Sequence, residues 1–335
     1  SYNNLWLGTW DRGVLKFNPR TRKLTSVITD LDKVLHVHSL VEYRKNVIAI
    51  GSDKGLTLWD ENSQTGTTYN HLESSMNSLS NDYIYPLVTD KEGGLWIGTY
   101  YGGVNYLSPS AQQIRHFEYS GYSPSVSGNI ISALCEDASQ RIWIGSDDGG
   151  VDCYDPATNS FLKTPQTYRS LNVHALCAEG NTIWIGAYDG GLHRYDTRSG
   201  AMKVYTRAAA PENADCSSVY SIYCDNSGTV WVGTMFGILS YDRGADVFRQ
   251  RLGETSLVID ISEDIYGDLW FATQSNGLYR YRRAEDEFVN YNLQNGQLPS
   301  NQVNCLVTAT GNEIYIGTSK GIVCHNLADG SFRQL

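Results

Sequence analysis

The sequence predicts an all-β protein, a β-propeller of four-stranded antiparallel blades, on three observations. One short pattern recurs eight times along 335 residues. Its copies fall about 44 residues apart, the period of a propeller blade, and each copy lies in a unit that breaks into four short β-type runs. The pattern reads aromatic, aliphatic, Gly, small residue, two or three variable residues, Gly, aliphatic. Its copies begin Trp6-Leu7-Gly8-Thr9, Ala49-Ile50-Gly51-Ser52, Trp96-Ile97-Gly98-Thr99, Trp143-Ile144-Gly145-Ser146, Trp184-Ile185-Gly186-Ala187, Trp231-Val232-Gly233-Thr234, Trp270-Phe271-Ala272-Thr273 and Tyr315-Ile316-Gly317-Thr318.

The unit from Asn129 to Lys163 shows the grammar. Ile130 to Cys135 is apolar enough for an innermost strand buried on both faces. Asp137-Ala138-Ser139-Gln140 is a tight turn, since an Asp side chain can bond the backbone two residues on. Arg141 to Ser146 forms the second strand, with Trp143 on one face and Ile142 and Ile144 on the other by the two-residue alternation. Asp147-Asp148-Gly149-Gly150 turns the chain with Gly at positive φ. Val151 to Asp155 is the third strand, Pro156 to Asn159 a turn, and Ser160 to Lys163 a short outer strand. Asp90 to Gly93, Asp225 to Gly228 and Asp264 to Gly267 repeat the first turn.

Seven innermost strands can be named, near Val34, Tyr83, Ile130, Val173, Val219, Val258 and Val303, against eight second strands, because the first unit starts at its second strand. The preferred reading is seven blades, with the strand near Val303 completing the N-terminal three-strand piece and Glu313 to Leu335 left over. That sharing removes an open sheet edge. Eight blades, the first lacking its inner strand, is the alternative.

Composition excludes several classes. With 41% hydrophobic and 12% aromatic residues the chain can bury a core and is not disordered. A net charge of −10 with scattered basic residues argues against a nucleic-acid partner. No stretch approaches the roughly 18 apolar residues of a membrane helix, and the first residues lack a secretion signal, so direct membrane contact by this segment is not expected. The seven Cys contain no CxxC pair; Cys135, Cys177, Cys224 and Cys305 recur inside apolar runs and are expected as buried thiols.

The string Leu95 to Val104, preceded by Asp90-Lys91-Glu92-Gly93-Gly94, closely resembles the two-component regulator propeller repeat; Ile142 to Val151 and Ile183 to Leu192 are similar. The departures are Ala49 for the aromatic residue, Ala272 for Gly and the shortened turn Met235-Phe236-Gly237. The resemblance implies the periplasmic sensor region of a hybrid two-component regulator, in which tandem propellers precede a β-sandwich, a membrane helix, a histidine kinase and a response regulator. It implies sensing of oligosaccharides released from polysaccharides, without catalysis by the propeller, with a neighbouring propeller or sandwich domain of the same protein as partner. On this reading the chain is a sensor fragment. The alternative is a structural propeller whose rim is a protein interface, for dimerisation with a second copy or for docking the next domain, and a propeller lyase or glycoside hydrolase is the third reading. Asp225 to Trp231 is also somewhat similar to the Asp-box turn of sialidases, offset by one residue at Gly and Trp, but no set of three Arg and a Tyr nucleophile accompanies it.

In a four-stranded blade the turns between second and third strands share a face with the links between blades. Here those turns carry Trp10, Asp11 and Arg12, Tyr100 and Tyr101, Asp147 and Asp148, Tyr188 and Asp189, Phe236 and Asn276, an interleaving of rings and polar groups suited to a sugar. These are the candidate ligand-binding residues, although Asp, Asn and Gly are also what tight turns require. The motif residues Trp6, Trp96, Trp143, Trp184, Trp231 and Trp270 are assigned to the core between blades. His36 and His38, two apart, would share a strand face able to ligate metal, but no third ligand is visible and they are read as ordinary strand residues. Asp147 and Asp148 would project to opposite sides of an extended chain, which does not suit a general acid and base. No catalytic residue, metal or cofactor is expected.

Overall fold

Alternating apolar and polar residues in the short runs, punctuated by Asx and Gly turns, give antiparallel strands of three to eight residues in a computed structural model. It describes residues 4–30, 33–73, 78–109, 114–119, 125–162, 164, 168, 171–206, 214–253, 255–308 and 312–335; Lys163 of the expected outer strand lies outside them. The fold is an eight-bladed β-propeller. Seven blades are four-stranded sheets whose strands pair in chain order, and blade 1, Leu5 to Ile28, has three strands.

The seven-blade reading is therefore corrected. Val303–Thr308 pairs antiparallel with Glu313–Thr318, Leu306 opposite Ile316, and so opens an eighth blade completed by Gly321–Asn326 and Phe332–Gln334. Pairing with its sequence neighbour closes a loop of a few residues, whereas joining the strand at Leu5 would close nearly the whole chain at about 4 kcal/mol more loop entropy. The inner strand expected near Val34 is also displaced, to Ser39–Arg44. Residues 34–38 form the link instead, with His36 in the left-handed region at φ 50° and Val34 fully buried.

Contacts divide the chain into two compact units, Ser1–Val173 and His174–Leu335, with the boundary inside the inner strand of blade 5, Asn172–Glu179. In the first unit the core lies between blade faces: Trp96 and Val104 of blade 3 pack with Ile131, Ile142 and Ile144 of blade 4. In the second, Trp184 and Leu192 of blade 5 pack with Val219, Val230 and Val232 of blade 6, and Trp270 and Ala272 of blade 7 with Val303, Ile314 and Ile316 of blade 8. Trp96, Trp143, Trp184, Trp231 and Trp270 are all at most 2% exposed, the core role expected of them; Trp6, on the edge strand of blade 1, is half-buried. The cysteines are all free, but Cys135, Cys177 and Cys224 are only half-buried and Cys305 is exposed, a correction to the expected buried set.

Two features of the repeat explain this packing. The motif Gly makes room for the next blade's inner strand: a Cβ on Gly186 would stand 2.4 Å from Val219 Cγ1. The turn Asp makes the Trp buriable. Asp90, Asp137, Asp225 and Asp264 each accept the indole N–H of the Trp six residues on, at 3.0, 2.9, 2.8 and 2.8 Å. The other carboxylate oxygen accepts backbone N–H groups of the turn, as Asp225 does from Ser227 and Thr229. Blade 5 lacks the Asp, and Glu179 takes the Trp184 N–H.

Side chains also stitch successive blades. Ser39 Oγ accepts from Leu87 N–H in the first unit, and in the second Ser221 Oγ donates to Val258 O while Asp260 accepts from Leu306 N–H at 2.8 Å. On the outer side, Arg115 and Tyr154 both donate to Asn159 Oδ1, and Arg194, Lys203, Tyr205 and Tyr241 converge on Asp246; both receiving residues sit in left-handed turns.

Three outcomes follow from this packing. Gly186→Ala should lower stability by about 1–3 kcal/mol in urea unfolding, through overpacking. Paired with Val219→Ala it should cost less than the two single changes together, because both act at one contact. Asp225 is wholly buried beneath Arg283. Burial would push its carboxyl up, but hydrogen bonds from Arg283, Ser227, Trp231 and Thr229 outweigh that and hold it below its ordinary value. Asp225→Ala should cost about 1–3 kcal/mol by leaving the buried indole N–H unmatched and removing one of the partners of Arg283. The carboxylate's contribution should hold above about pH 4 and vanish as pH falls through the lowered value. Asp260 behaves oppositely: burial pushes it up to about 6 against the bonds from Leu306 and Ile261. The stability difference between wild type and Asp260→Ser, measured by denaturant titration, should therefore shift in favour of wild type as pH is lowered from 7 toward 4.

Candidate ligand-binding rim

The turns between second and third strands are built alike. The small residue of the motif closes them: Thr9, Thr99, Thr273 and Thr318 each donate a hydroxyl proton at 2.7 Å to the carbonyl of Gly13, Gly103, Gly277 and Gly321. Backbone bonds then hold each turn to the links beside it. In the first unit Tyr100 N–H donates to Tyr83 O and Gly103 N–H to Asn129 O; in the second Gln274 N–H donates to Leu257 O and Gly277 N–H to Asn301 O. Turns and links thus share a face in each unit, as the sequence implies.

In the first unit this construction assembles a row of rings across three blades. Trp10 stacks on His36 at 4.0 Å between centroids and meets His38 edge-on at 5.8 Å. His38 stacks on Tyr85 at 4.2 Å, Tyr85 on Tyr100 at 5.2 Å, and Tyr100 meets Tyr101 edge-on at 4.4 Å. Asp53 bridges the two imidazoles: its Oδ2 receives His36 Nδ1 at 2.6 Å and its Oδ1 His38 Nε2 at 2.7 Å. The expectation that His36 and His38 share a strand face fails, because His36 sits at φ 50° in the link; the carboxylate, not a strand, brings them together. Trp10, between His36 and His38, is 63% exposed, and Tyr101, at the far end of the row, 62%.

Two phenols in this row, Tyr85 and Tyr100, are pushed above their ordinary value. Burial, followed by Asp53 and Tyr101, pushes Tyr85 up. Tyr100 is pushed up first by its hydrogen bond with Tyr101, and further by Asp147.

Of the other rim candidates, Asp11 and Arg12 are exposed beside Trp10. Asp148 accepts the backbone N–H groups of Asn129 and Ile130, and Asn276 that of Ser256, so both serve turn structure. Asp147 donates its own N–H to Ile130 O. In the second unit Tyr188, 45% exposed, lies against His174 and Tyr220. Asp189 beside it occupies a left-handed turn position, and Phe236 is 52% exposed.

His38, Tyr85, His174 and Tyr220 were missed as rim residues. Each follows a β-branched residue at or near the start of an inner strand, in Val37-His38, Ile84-Tyr85, Val173-His174 and Val219-Tyr220; Ile84 and Val219 open theirs, Val173 is second in its strand and Val37 lies in the link before Ser39. At Tyr85 and Tyr220 the inner strand carries a register shift, between Ile84 and Leu87 and between Val219 and Ser221. A bulge re-aims the extra side chain out of the ladder. The recurrence of His and Tyr after the β-branched residue was the available signal. Among the described residues no group of three or more His, Cys, Asp or Glu side chains could hold a metal ion.

A propeller with this repeat and rim has recognisable relatives. Residues 78–101, 125–148 and 214–236 match the model of the family described as two component regulator propeller. Among solved structures it is similar to the extracellular domain of a hybrid two-component system from B. thetaiotaomicron, with a TM-score of 0.68 and 21% identity over 90% of this chain and 40% of that one. It is also similar to the computationally designed Ika8 protein, at a TM-score of 0.72 and 16% identity over 99% and 92% of the two chains. Virginiamycin B lyase from Staphylococcus aureus is a third, at 0.62 and 13% over 87% and 94%. Identities this low show the fold alone, and the chain spans less than half of the B. thetaiotaomicron domain. No curated protein matches the sequence. No helix among the described residues is long and apolar enough to cross a membrane.

Proposed function

We propose that the chain is a non-catalytic, extracytoplasmic sensor propeller of a hybrid two-component system. It binds a polysaccharide-derived oligosaccharide on its rim and relays binding, through a neighbouring domain of a longer protein, to a histidine kinase. The observation that carries the reading is the row from Trp10 to Tyr101 on a propeller matching the two component regulator propeller model. Exposed rings beside imidazole, carboxylate and phenol groups match the alternating apolar faces and hydroxyls of a pyranose chain. The similarity to an extracellular two-component domain supports the location and the signalling role. The similarity to a lyase raises an enzymatic reading, which product formation from a glycan would favour over binding alone.

A sensor needs a ligand that prefers one of two arrangements, since equal affinity shifts nothing. Binding to the folded state alone is expected to stabilise it by about 2.7 kcal/mol at a ligand concentration a hundred times Kd. Thermal unfolding against a panel of neutral and acidic plant and host oligosaccharides should show a raised midpoint for at least one class. No shift with any member, confirmed by calorimetry, would rule out direct oligosaccharide binding by this chain.

A further inference from the structure

The stacking geometry decides which rings of the row can meet a ligand. His36 lies 22° from parallel to Trp10, His38 15° from parallel to Tyr85, and Tyr85 26° from parallel to Tyr100. His36, His38, Tyr85 and Tyr100 therefore spend faces on their neighbours. Trp10, covered by His36 on one face, and Tyr101, at the far end of the row, are each more than 60% exposed and so have surface to offer a ligand. The polar edges between them are ordered by Asp53. A carboxylate only accepts, so the nitrogens facing it, His36 Nδ1 and His38 Nε2, carry protons, and in the neutral imidazoles the opposite nitrogens become acceptors. The side chain of Asp53 is 18% exposed and those of His36 and His38 28% and 13%, so this arrangement is largely shielded from competing water.

Asp53 and Asp147 act on the phenols of Tyr85 and Tyr100, Arg12 and Lys54 stand beside Trp10 and Asp53, and the chain as a whole carries −10. A negative field and imidazole acceptors suit hydroxyl donors and disfavour uronates and sulfated sugars.

We propose, building on the oligosaccharide-sensing reading, that this row is a two-ended saccharide subsite for uncharged pyranoside chains. Trp10 and Tyr101 supply the stacking faces, His36 and His38 accept hydrogen bonds from sugar hydroxyls, and Asp53 is the positioning residue that fixes both imidazoles. The left-handed His36 belongs to this device: its backbone strain is held by the Trp10 stack on one side and the Asp53 bond on the other.

The test measures Kd by calorimetry for cellohexaose, xylohexaose and mannohexaose against hexagalacturonate and a heparin-derived hexasaccharide. The proteins are wild type, Trp10→Ala, Tyr101→Ala, Asp53→Asn, Asp53→Ala and, as a control remote from the rim, Ile265→Ala, which removes an exposed side chain of blade 7. A neutral hexasaccharide should bind wild type and Ile265→Ala alike, and about tenfold more weakly to each end variant, the loss expected for one aromatic platform. Both end side chains are exposed, so these variants should fold. Asp53→Ala should weaken binding comparably. Asp53→Asn should narrow the preference for neutral over uronate probes, a change that loss of packing alone would not cause. Trp10 fluorescence, isolated as the difference between wild type and Trp10→Phe, should change when Asp53→Ala is introduced into both. Neutral-probe affinity unchanged in both end variants would overturn the subsite and leave the sensing reading standing. Tighter binding of hexagalacturonate or the heparin fragment than of every neutral probe would overturn the charge assignment. Failure of all five probes to bind wild type would remove the sensing reading itself, and the subsite with it.

Discussion

One hydrogen bond makes the rest of this structure possible: the indole N–H of the motif Trp donated to the buried carboxylate six residues earlier. A Trp at most 2% exposed would otherwise leave its N–H unmatched in the core, at a cost of about 1–3 kcal/mol. The same carboxylate takes backbone N–H groups of its own turn, so a single side chain closes the first hairpin of the blade and fixes the Trp against the next blade. In blades 6 and 7 the device is reinforced across the blade boundary, since Arg283 reaches from blade 7 to Asp225 of blade 6 at 2.6 Å. Repeating that unit repeats the blade, and the inter-blade cores follow.

Because this constraint lies at the turn between first and second strands, the opposite turns are comparatively unconstrained. Most supply a hydroxyl to close the turn and a Gly to leave it, as Thr99 and Gly103 do, blade 5 having Ala187 in place of the hydroxyl, and their remaining positions can vary. Where blade 3 places two Tyr, blade 4 places two Asp and blade 7 a Gln-Ser-Asn run. Stability resides in the repeated residues and ligand contact in the unrepeated ones, a division that lets one scaffold carry different rims.

That division also governs what could be read in advance. Trp143, Gly145 and Asp137 recur at fixed spacing, so strands, turns and core were legible from residue type alone. The blade count was not, because sequence shows which strands exist but not whether the one at Val303 pairs forward or with the N-terminus. The clasp of Arg115 and Tyr154 on Asn159 joins residues 44 and 5 apart and leaves only a recurrent Tyr in the third strand as its trace. The row at the rim was half legible. Trp10, Tyr100 and Tyr101 announce themselves as rings in turns, whereas Asp53 looks like a turn residue and His36 like a strand residue until a left-handed φ turns its imidazole onto that carboxylate.

The location of the strain matters for how a rim contact becomes a signal. Close-packed blade interfaces such as that of Trp96 with Ile131 and Ile144 have one good arrangement, and a ligand cannot shift them by degrees. His36 differs: a left-handed non-Gly residue costs on the order of 1–3 kcal/mol and persists only while its contacts hold. Those contacts come from two blades, Trp10 of blade 1 and Asp53 of blade 2, and His38 continues the row to blade 3 through Tyr85. On the sensing reading, a ligand that pins Trp10 and Tyr101 therefore acts on a segment of the rim that already balances strain against contact. Its differential affinity is spent on choosing between the strained link and a relaxed one, which is the minimum a two-state sensor requires.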